Sequence, residues 1–321
     1  MRSILPRTRS LGGAVDKQGL EREKATLEQE HGGWTAHNIR VADGVYTIGP
    51  GHSGSEDAVK RVTQIVADLS PGPMSGLRVL DLGALEGQYG LELAQRGANV
   101  VAIEGREASL AKCEFAKRTL GLDNIEFELG DVRSLTKETH GEFDVVLCLG
   151  LLYHLDAEDV FPFLRSIAEM CTSLLVLETR VSLSHRETHR FDGREYHGSS
   201  YAEPDTSAEQ TDTETLWASL DNPRSFMFTR PSLFNVLRRV GFTSAYECSI
   251  PAQTRLWPDR GTFVAVRGEP VELSSADDLD APDLPEEQSH TLYRLLQNRY
   301  PRALRRIMPR RARDRVKRML T

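Results

Sequence analysis

The stretch from residue 77 to 87 constrains the fold most strongly. A short apolar run that includes Asp81 is followed by Gly83 and Gly87. This order predicts a buried parallel strand, a tight turn and then a helix over residues 88–96. Glycines let a backbone approach a bound molecule, and the start of a helix offers unpaired N–H groups. The stretch therefore predicts a ligand-binding strand end.

A second acid follows one strand-helix unit later. Residues 99–105 form another apolar run that contains Glu104, about twenty residues on, where an acid suits two ribose hydroxyls. Two cofactor classes fit this layout, a dinucleotide and another adenosine-containing molecule. A dinucleotide fold favours G-x-G-x-x-G, whereas the glycines here are Gly83, Gly87 and Gly90.

Strand and helix patterns continue to alternate beyond this point. Helices are predicted over residues 107–120 and 156–171, and strands over 125–129, 143–149 and 173–178. This alternation implies a mostly parallel sheet with helices on both faces. Ligands of such sheets bind at the carboxyl ends of the strands, near the point where the strand order reverses.

These residues resemble the class I S-adenosylmethionine (SAM) dependent methyltransferases. In that family a D-x-G-x-G-x-G turn holds the methionine part of SAM, and the acid of the next strand holds its ribose. Asp81, Gly83, Gly87 and Glu104 match by position, while Leu85 stands where the family commonly has a middle glycine. The resemblance implies an α/β, Rossmann-like, seven-stranded sheet, completed by an antiparallel pair over 245–250 and 261–267. SAM is the implied cofactor.

The resemblance also implies roles for residues after the third strand. Asp131 would lie beside the adenine amino group and Val132 would pack on the adenine, although Asp131 can equally cap the following helix. We also expect Glu86 and Gly105, which adjoin the matched residues, to contact the cofactor.

Residues 149–154 follow the fourth strand and are expected to face the transferred methyl group. Gly150 would let the main chain approach the cofactor. His154, with Tyr153, is the expected catalytic group, because an imidazole can accept a proton near neutral pH. The alternative for His154 is a structural residue at a helix start.

Residues 181–224 interrupt the alternation and are rich in histidine and aromatic residues. A loop of this length is usually functional, so we expect a substrate-covering insertion. Its His185, His189 and His197, together with Trp34, are the expected acceptor contacts. His185 and His189 would share a face only on a helix, and arginines lie among these histidines, so no metal site is expected.

A narrower resemblance rests on three segments: Gly-Leu-Leu-Tyr-His, Leu-Glu-Thr, and Phe-Thr-Arg-Pro-Ser-Leu. They look like the branch that includes the tRNA wobble-uridine carboxymethyltransferases. In that branch the RNA enzyme uses a carboxylated SAM, which needs a dedicated cationic partner. The sequence identifies no such partner, so ordinary SAM is expected.

The 321 residues carry a net charge of -7 that is unevenly distributed. We expect an N-terminal arm (1–53), a methyltransferase domain (54–268), an acidic linker (269–290) and a basic tail (291–321). The tail can suit an anionic membrane, a partner protein or nucleic acid, or be a solvated extension. No apolar run approaches the roughly 20 residues of a membrane span. The four cysteines lack metal-ligand spacing, so a reduced, cytoplasmic protein is expected.

The expected function is methyl transfer from SAM to a small-molecule or glycan-like acceptor, at oxygen rather than nitrogen. Two alternatives stay open. One is a tRNA-modifying (carboxy)methyltransferase, and the other is a non-catalytic SAM-binding scaffold protein.

Overall fold

The computed structural model describes residues 16–203, 219–251, 258–276, 279–280 and 282–286. The chain begins with helix α1 (Lys17–His31), whose first turn is capped by the Asp16 side chain. Strands β1 (Arg40–Ala42) and β2 (Val45–Tyr46) form an antiparallel hairpin around an Asp-Gly turn. Helix α2 (Glu56–Leu69) then buries one apolar stripe, which includes Val62, Ile65 and Val66.

A seven-stranded sheet forms the centre of the molecule. Its first five strands are β3 (Arg78–Leu82), β4 (Asn99–Glu104), β5 (Ile125–Leu129), β6 (Phe143–Leu149) and β7 (Cys171–Arg180). The helices between them are α3 (Gln88–Gln95), α4 (Glu107–Leu120), α5 (Lys137–His140) and α6 (Val160–Met170). Helix α5 was not predicted; the other elements lie within a few residues of the predicted ones, and Cys171 begins a strand where a helix end was expected.

The chain beyond β7 adds a second, smaller sheet. Strands β8 (Glu187–Phe191), β9 (Arg194–Ala202) and β10 (Arg224–Phe228) pair antiparallel in the order β10-β9-β8. The sequence predicted only a long polar insertion here. Its strands were missed because β8 is exposed on one face and has a single apolar residue, Phe191, on the other, so the alternation of apolar residues that marks a strand is weak.

The central sheet is completed from the C-terminal side. Helix α7 (Arg230–Arg239) begins after Thr229, whose hydroxyl accepts the Ser232 N–H. Strands β11 (Ser244–Glu247) and β12 (Arg260–Val266) are antiparallel to each other, and β12 is antiparallel to β7. The order across the sheet is β11-β12-β7-β6-β3-β4-β5. The predicted Rossmann-like, seven-stranded fold is confirmed.

The strand order reverses at β3, and this reversal determines where a ligand can bind. From β3 the chain moves outward through β4 and β5, then returns to the other side of β3 for β6 and β7. The carboxyl ends of β3 and β6 therefore diverge into helices on opposite faces and leave a crevice between them.

Each face of the sheet has its own apolar core. On one face α2, α3 and α4 pack against the strands, and the core includes Ile65, Leu91 and Phe115. On the other face α6, α7 and the small sheet supply the core, which includes Phe161 and Phe226. The small sheet is thus attached to the domain by buried aromatic contacts.

Two further observations concern the chain outside this sheet. Within the part of the chain that the structure describes, no helix has both the length and the apolar character that crossing a bilayer requires. The basic tail predicted for residues 291–321 lies outside the described residues.

Candidate active site

A cavity of about 510 Å³ lies at the carboxyl ends of the central strands. Nine predicted site residues line it: Asp81, Gly83, Glu104, Gly105, Asp131, Val132, Gly150, Tyr153 and His154. They come from four separate strand ends, which the parallel sheet brings to one edge. The cavity is therefore the crevice expected at the reversal of strand order.

Asp81, near the end of β3, lines the cavity. It is 2% exposed, and its Oδ2 accepts the Gly90 N–H at 3.1 Å. Burial, reinforced by the nearby charge of Glu104, raises the pKa of Asp81 to about 7. A carboxylate held in this way favours a cationic group beside it.

Glu104 ends β4 and is 3% exposed. Its two carboxylate oxygens accept the backbone N–H groups of Leu85, at 2.7 Å, and of Arg106, at 2.9 Å. Burial raises the pKa of Glu104, while these two hydrogen bonds oppose the rise. The acid is fixed at the cavity wall with lone pairs still available to a ligand.

Leu85 adopts a backbone conformation that glycine favours. Its φ is 52°, in the left-handed region that side chains other than Asn and Asp rarely occupy. The turn after β3 therefore holds a leucine in a conformation that favours glycine, at the position where the resembled family commonly has glycine. The cost is local backbone strain, of the order of 1 kcal/mol.

Gly87 and Glu86 do not line the cavity, although both were predicted cofactor contacts. Gly87 has a φ of 81°, and a Cβ there would lie 2.9 Å from the Phe127 ring and 3.0 Å from Cys113 Sγ. The glycine is therefore required for the packing of α3 against β5 and α4.

Glu86 instead binds the segment that precedes β1. Its oxygens accept the backbone N–H groups of Thr35, Ala36 and His37 at 2.7, 3.1 and 2.9 Å. Lys112 Nζ lies 3.5 Å from the same carboxylate, and both side chains are almost completely buried. This cluster holds residues 35–37 against the turn after β3.

Ala36 and His37 consequently form part of the cavity wall, which the sequence did not predict. His37 is buried, and its Nδ1 accepts the Gln88 N–H at 3.2 Å. Burial lowers the pKa of His37 to about 4, against the opposing charge of Glu86. The imidazole is therefore neutral at pH 7 and is a structural acceptor.

Asp131 caps the short 3-10 helix Val132–Ser134, as its alternative prediction proposed. Its carboxylate accepts the Arg133 N–H at 2.9 Å and an Nη2–H of the same residue at 2.6 Å. These hydrogen bonds lower the pKa of Asp131. Both Asp131 and the buried Val132 still line the cavity, so a contact with adenine stays a prediction.

Tyr153 and His154 lie at the opposite end of the cavity, after β6. Their rings contact each other, with centroids 4.3 Å apart. The Tyr153 hydroxyl accepts an Arg260 Nη2–H at 3.1 Å, and Arg260 Nε lies 3.0 Å from Glu178 Oε1. Arg260 and Glu178 belong to the neighbouring strands β12 and β7 and also line the cavity.

The four predicted acceptor contacts lie elsewhere. Trp34 packs near Phe115, with ring centroids 6.3 Å apart. His185 and His197 contact each other at 3.9 Å between centroids, and His189 packs on Phe226. None of the four lines the cavity. Because residues 187–191 form a strand, His185 and His189 are not helical neighbours.

Comparison with known proteins connects this site to a family. Residues 73–185 match the family model described as "Methyltransferase domain". The N-terminal domain of EvdMO1, solved with SAH bound, superimposes with a TM-score of 0.61 and 27% identity, over 79% of this chain and 97% of that one. The matched residues contain the turn after β3 and the strand ends at the cavity. The chain contains a class I methyltransferase domain.

Curated relatives match over about a third of this chain. A ubiquinone biosynthesis O-methyltransferase of Acinetobacter baumannii (strain AYE) is 32% identical over 108 residues, which is 34% of this chain and 43% of that enzyme. A relative with the same name from Pseudomonas aeruginosa (strain UCBPP-PA14) is 32% identical over 111 residues. The chain therefore spans less than half the length of these relatives.

The residues at the cavity of the methyltransferase domain fit SAM. SAM carries an ammonium and a sulfonium group, and two buried carboxylates, Asp81 and Glu104, face the same cavity. Gly105 has no Cβ, and one added there would lie 2.4 Å from Leu220 Cδ1, so the backbone comes close to the segment 219–222 that covers this end. The cavity thus combines two acidic side chains, a closely approaching backbone at Gly105 and an apolar wall at Val132 and Leu149.

The cavity residues that the sequence did not predict include Arg133, Glu178, Arg260 and Asn222. Glu178 had a detectable signal, because it is a further acid near the end of a predicted strand. The other three had none. Arg260 reaches the cavity through the antiparallel register of β12 on β7, and Asn222 through the path of the insertion.

Proposed function

We propose that this protein transfers a methyl group from SAM to a hydroxyl group of a small-molecule or glycan-like acceptor. The observation that carries the proposal is the pair of buried acids, Asp81 and Glu104, at the ends of adjacent strands in one cavity. A buried carboxylate with a raised pKa is costly unless a ligand cation or hydroxyl compensates for it.

The proposed roles follow the geometry of the cavity. Asp81, with Gly83, is assigned to the methionine end of SAM, and Glu104, with Gly105, to the ribose hydroxyls. Asp131 and Val132 are assigned to the adenine. SAM supplies a methyl group that its sulfonium makes strongly electrophilic. The protein mainly aligns the acceptor with that methyl carbon and excludes water.

The acceptor is assigned to the end of the cavity that Gly150, Tyr153 and His154 line. This end is polar, with the Glu178–Arg260 pair behind Tyr153. Such donors and acceptors suit a hydroxylated molecule. The relatives named above support the same class, since EvdMO1 was solved in the presence of D-fucose and the curated relatives are named O-methyltransferases.

Ordinary SAM is favoured over a carboxylated form. The cation of the cavity nearest to Tyr153, Arg260, already lies 3.0 Å from the Glu178 carboxylate. A second carboxylate on the cofactor would have to compete with Glu178 for this guanidinium. This competition disfavours the form of the tRNA-modifying alternative that uses a carboxylated cofactor, and we propose a small acceptor instead.

Labelling tests the proposal directly. The full chain is incubated with SAM that carries a deuterated methyl group and with two fractions of a cell extract, small molecules and tRNA. D-fucose is included as a defined probe. We expect the label on a hydroxyl oxygen of a small molecule. The Asp81→Asn, Glu104→Gln double variant is the control and should transfer no label.

Three other outcomes contradict the proposal. Label on tRNA would establish the RNA alternative. Label on a nitrogen atom would overturn the assignment to oxygen. Calorimetric binding of SAM without label in either fraction would favour the non-catalytic scaffold.

A further inference from the structure

We propose that Glu203 is a positioning residue that fixes His154 as the proton acceptor of the site. Glu203 belongs to the insertion, directly after β9, and nothing in the sequence marked it. The inference rests on the proposed transfer to a hydroxyl, because a hydroxyl must lose its proton when its oxygen is methylated. The proposal assigns a catalytic role to the insertion, which was expected only to cover the substrate.

The contact between the two side chains is direct. His154 Nδ1 lies 3.0 Å from Glu203 Oε1, across 49 residues of sequence. The Glu203 side chain is 2% exposed and that of His154 is 17% exposed. The imidazole can therefore meet the cavity while the carboxylate behind it is shielded from water.

Glu203 is held in place by several donors. Tyr201 Oη donates to it at 2.7 Å, Ser219 N–H at 3.3 Å, and the Ser225 hydroxyl also donates. Burial alone would raise the pKa of Glu203, but the hydrogen bonds from His154, Ser225 and Tyr201 lower it to about 2. The carboxylate is thus ionised at neutral pH.

An ionised carboxylate has no proton to donate, so the hydrogen bond determines the tautomer of His154. Nδ1 must carry the hydrogen, which leaves Nε2 with its lone pair. The other groups against the ring are the Tyr153 ring and the segment at Asn222, whose Nδ2 donates to the His154 carbonyl at 3.0 Å. Neither competes for Nδ1.

This arrangement completes the proposed reaction. The hydroxyl oxygen of the acceptor uses an electron pair to bond the methyl carbon. The carbon–sulfur bond breaks, and its electron pair passes to the sulfur, which loses its positive charge. The hydroxyl proton passes to His154 Nε2. Glu203 then stabilises the imidazolium through Nδ1–H until the proton leaves to solvent.

Nitrogen NMR of the full chain tests the tautomer without any cofactor or acceptor. With ¹⁵N-labelled histidine at a pH where the rings are neutral, the His154 signals are assigned by their absence from a His154→Gln spectrum. We expect a protonated Nδ1 and an unprotonated Nε2. In Glu203→Gln the amide can donate as well as accept, so both tautomers should be populated. Tyr201→Phe, which removes another donor to the same carboxylate, should keep the wild-type tautomer.

A wild-type His154 that carries its proton on Nε2 would overturn the proposal, and this result does not depend on any Glu203 variant. A folded Glu203→Gln protein with the wild-type tautomer would overturn it as well. With an acceptor identified by labelling, Glu203→Gln should lower kcat by about tenfold or more and leave SAM affinity within about twofold. An unchanged kcat would contradict a role in catalysis. A failure of the labelling experiment leaves the NMR result unaffected, so the two proposals fail separately.

Discussion

The Leu85 N–H donates to Glu104 Oε2 at 2.7 Å, so the acid at the end of β4 holds the turn that follows β3. The bond forms although Leu85 has a φ of 52°, a conformation that favours glycine. Two cofactor elements predicted separately from the sequence are therefore one hydrogen-bonded unit. The contribution of this unit to stability and to SAM binding can be tested by substitutions at Leu85 and at Glu104.

Substitution of Leu85 should reverse the usual order of alanine and glycine. Both Leu85→Ala and Leu85→Gly remove the half-buried side chain, but only glycine removes the strain of a positive φ. We expect the glycine variant to be more stable than the alanine variant by about 1 kcal/mol. Urea unfolding of the two variants measures the difference. An alanine variant that is equally stable would show that the turn is unstrained in solution.

Glu104→Gln should weaken SAM binding by about 1–3 kcal/mol, because a charged acceptor of hydrogen bonds is replaced by a neutral amide. Titration calorimetry with SAM measures the change. Glu126→Gln, on the exposed face of neighbouring β5, is the matched control and should bind SAM as the wild type does. Unchanged affinity of folded Glu104→Gln would remove Glu104 from the proposed ribose contact.

Asp81 should make the cofactor-free protein less stable as the pH rises from about 4 to about 7. Its pKa is about 7 in the fold, against about 3.9 in an unfolded chain, so the native state binds more protons within this window. Below and above this pH window the contribution of Asp81 to the free energy of unfolding is constant. His37 has the opposite effect, because its pKa is lowered to about 4 in the fold. Its contribution to the free energy of unfolding rises with pH between about 4 and about 6.5, its pKa in an unfolded chain.

The Asp81 contribution is isolated by comparison with Asp81→Asn, which keeps an acceptor for the Gly90 N–H. Urea unfolding at a series of pH values should show that the advantage of Asp81→Asn over the wild type grows between pH 4 and 7. Parallel curves for the two proteins would mean that Asp81 is ionised throughout, contrary to its burial.

Removal of the Glu86 charge should release the segment 35–37. Glu86→Gln leaves the Lys112 ammonium buried beside a neutral group, and breaking a buried pair in this way costs about 3–5 kcal/mol. Hydrogen exchange should then be faster at the Thr35, Ala36 and His37 amides. The Glu86→Gln, Lys112→Met double variant should recover part of the stability. If the double variant is no better than the single one, the charge pair is not what holds the segment.

Much of the fold followed from local patterns. Most of the parallel strands are short apolar runs, and the longer helices α3, α4 and α6 each bury an apolar stripe, so both periodicities can be read without tertiary information. Strands β8 and β9, which lie in the insertion, could not be predicted in the same way. One face of β8 is exposed, and its buried face relies on aromatic contacts with distant residues such as Phe161 and Phe226.

The sequence by itself determined the acids and glycines at the strand ends, Asp81, Glu104 and Asp131 among them. A parallel sheet brings the carboxyl ends of all its strands to one edge, so their convergence needs no further information. Only the tertiary structure decided the partners of His154 and Tyr153. Glu203 reaches the imidazole through the fold of the insertion, and Arg260 reaches the phenol through the register of β12 on β7. Such contacts depend on the path of the chain between distant elements, which no local periodicity encodes.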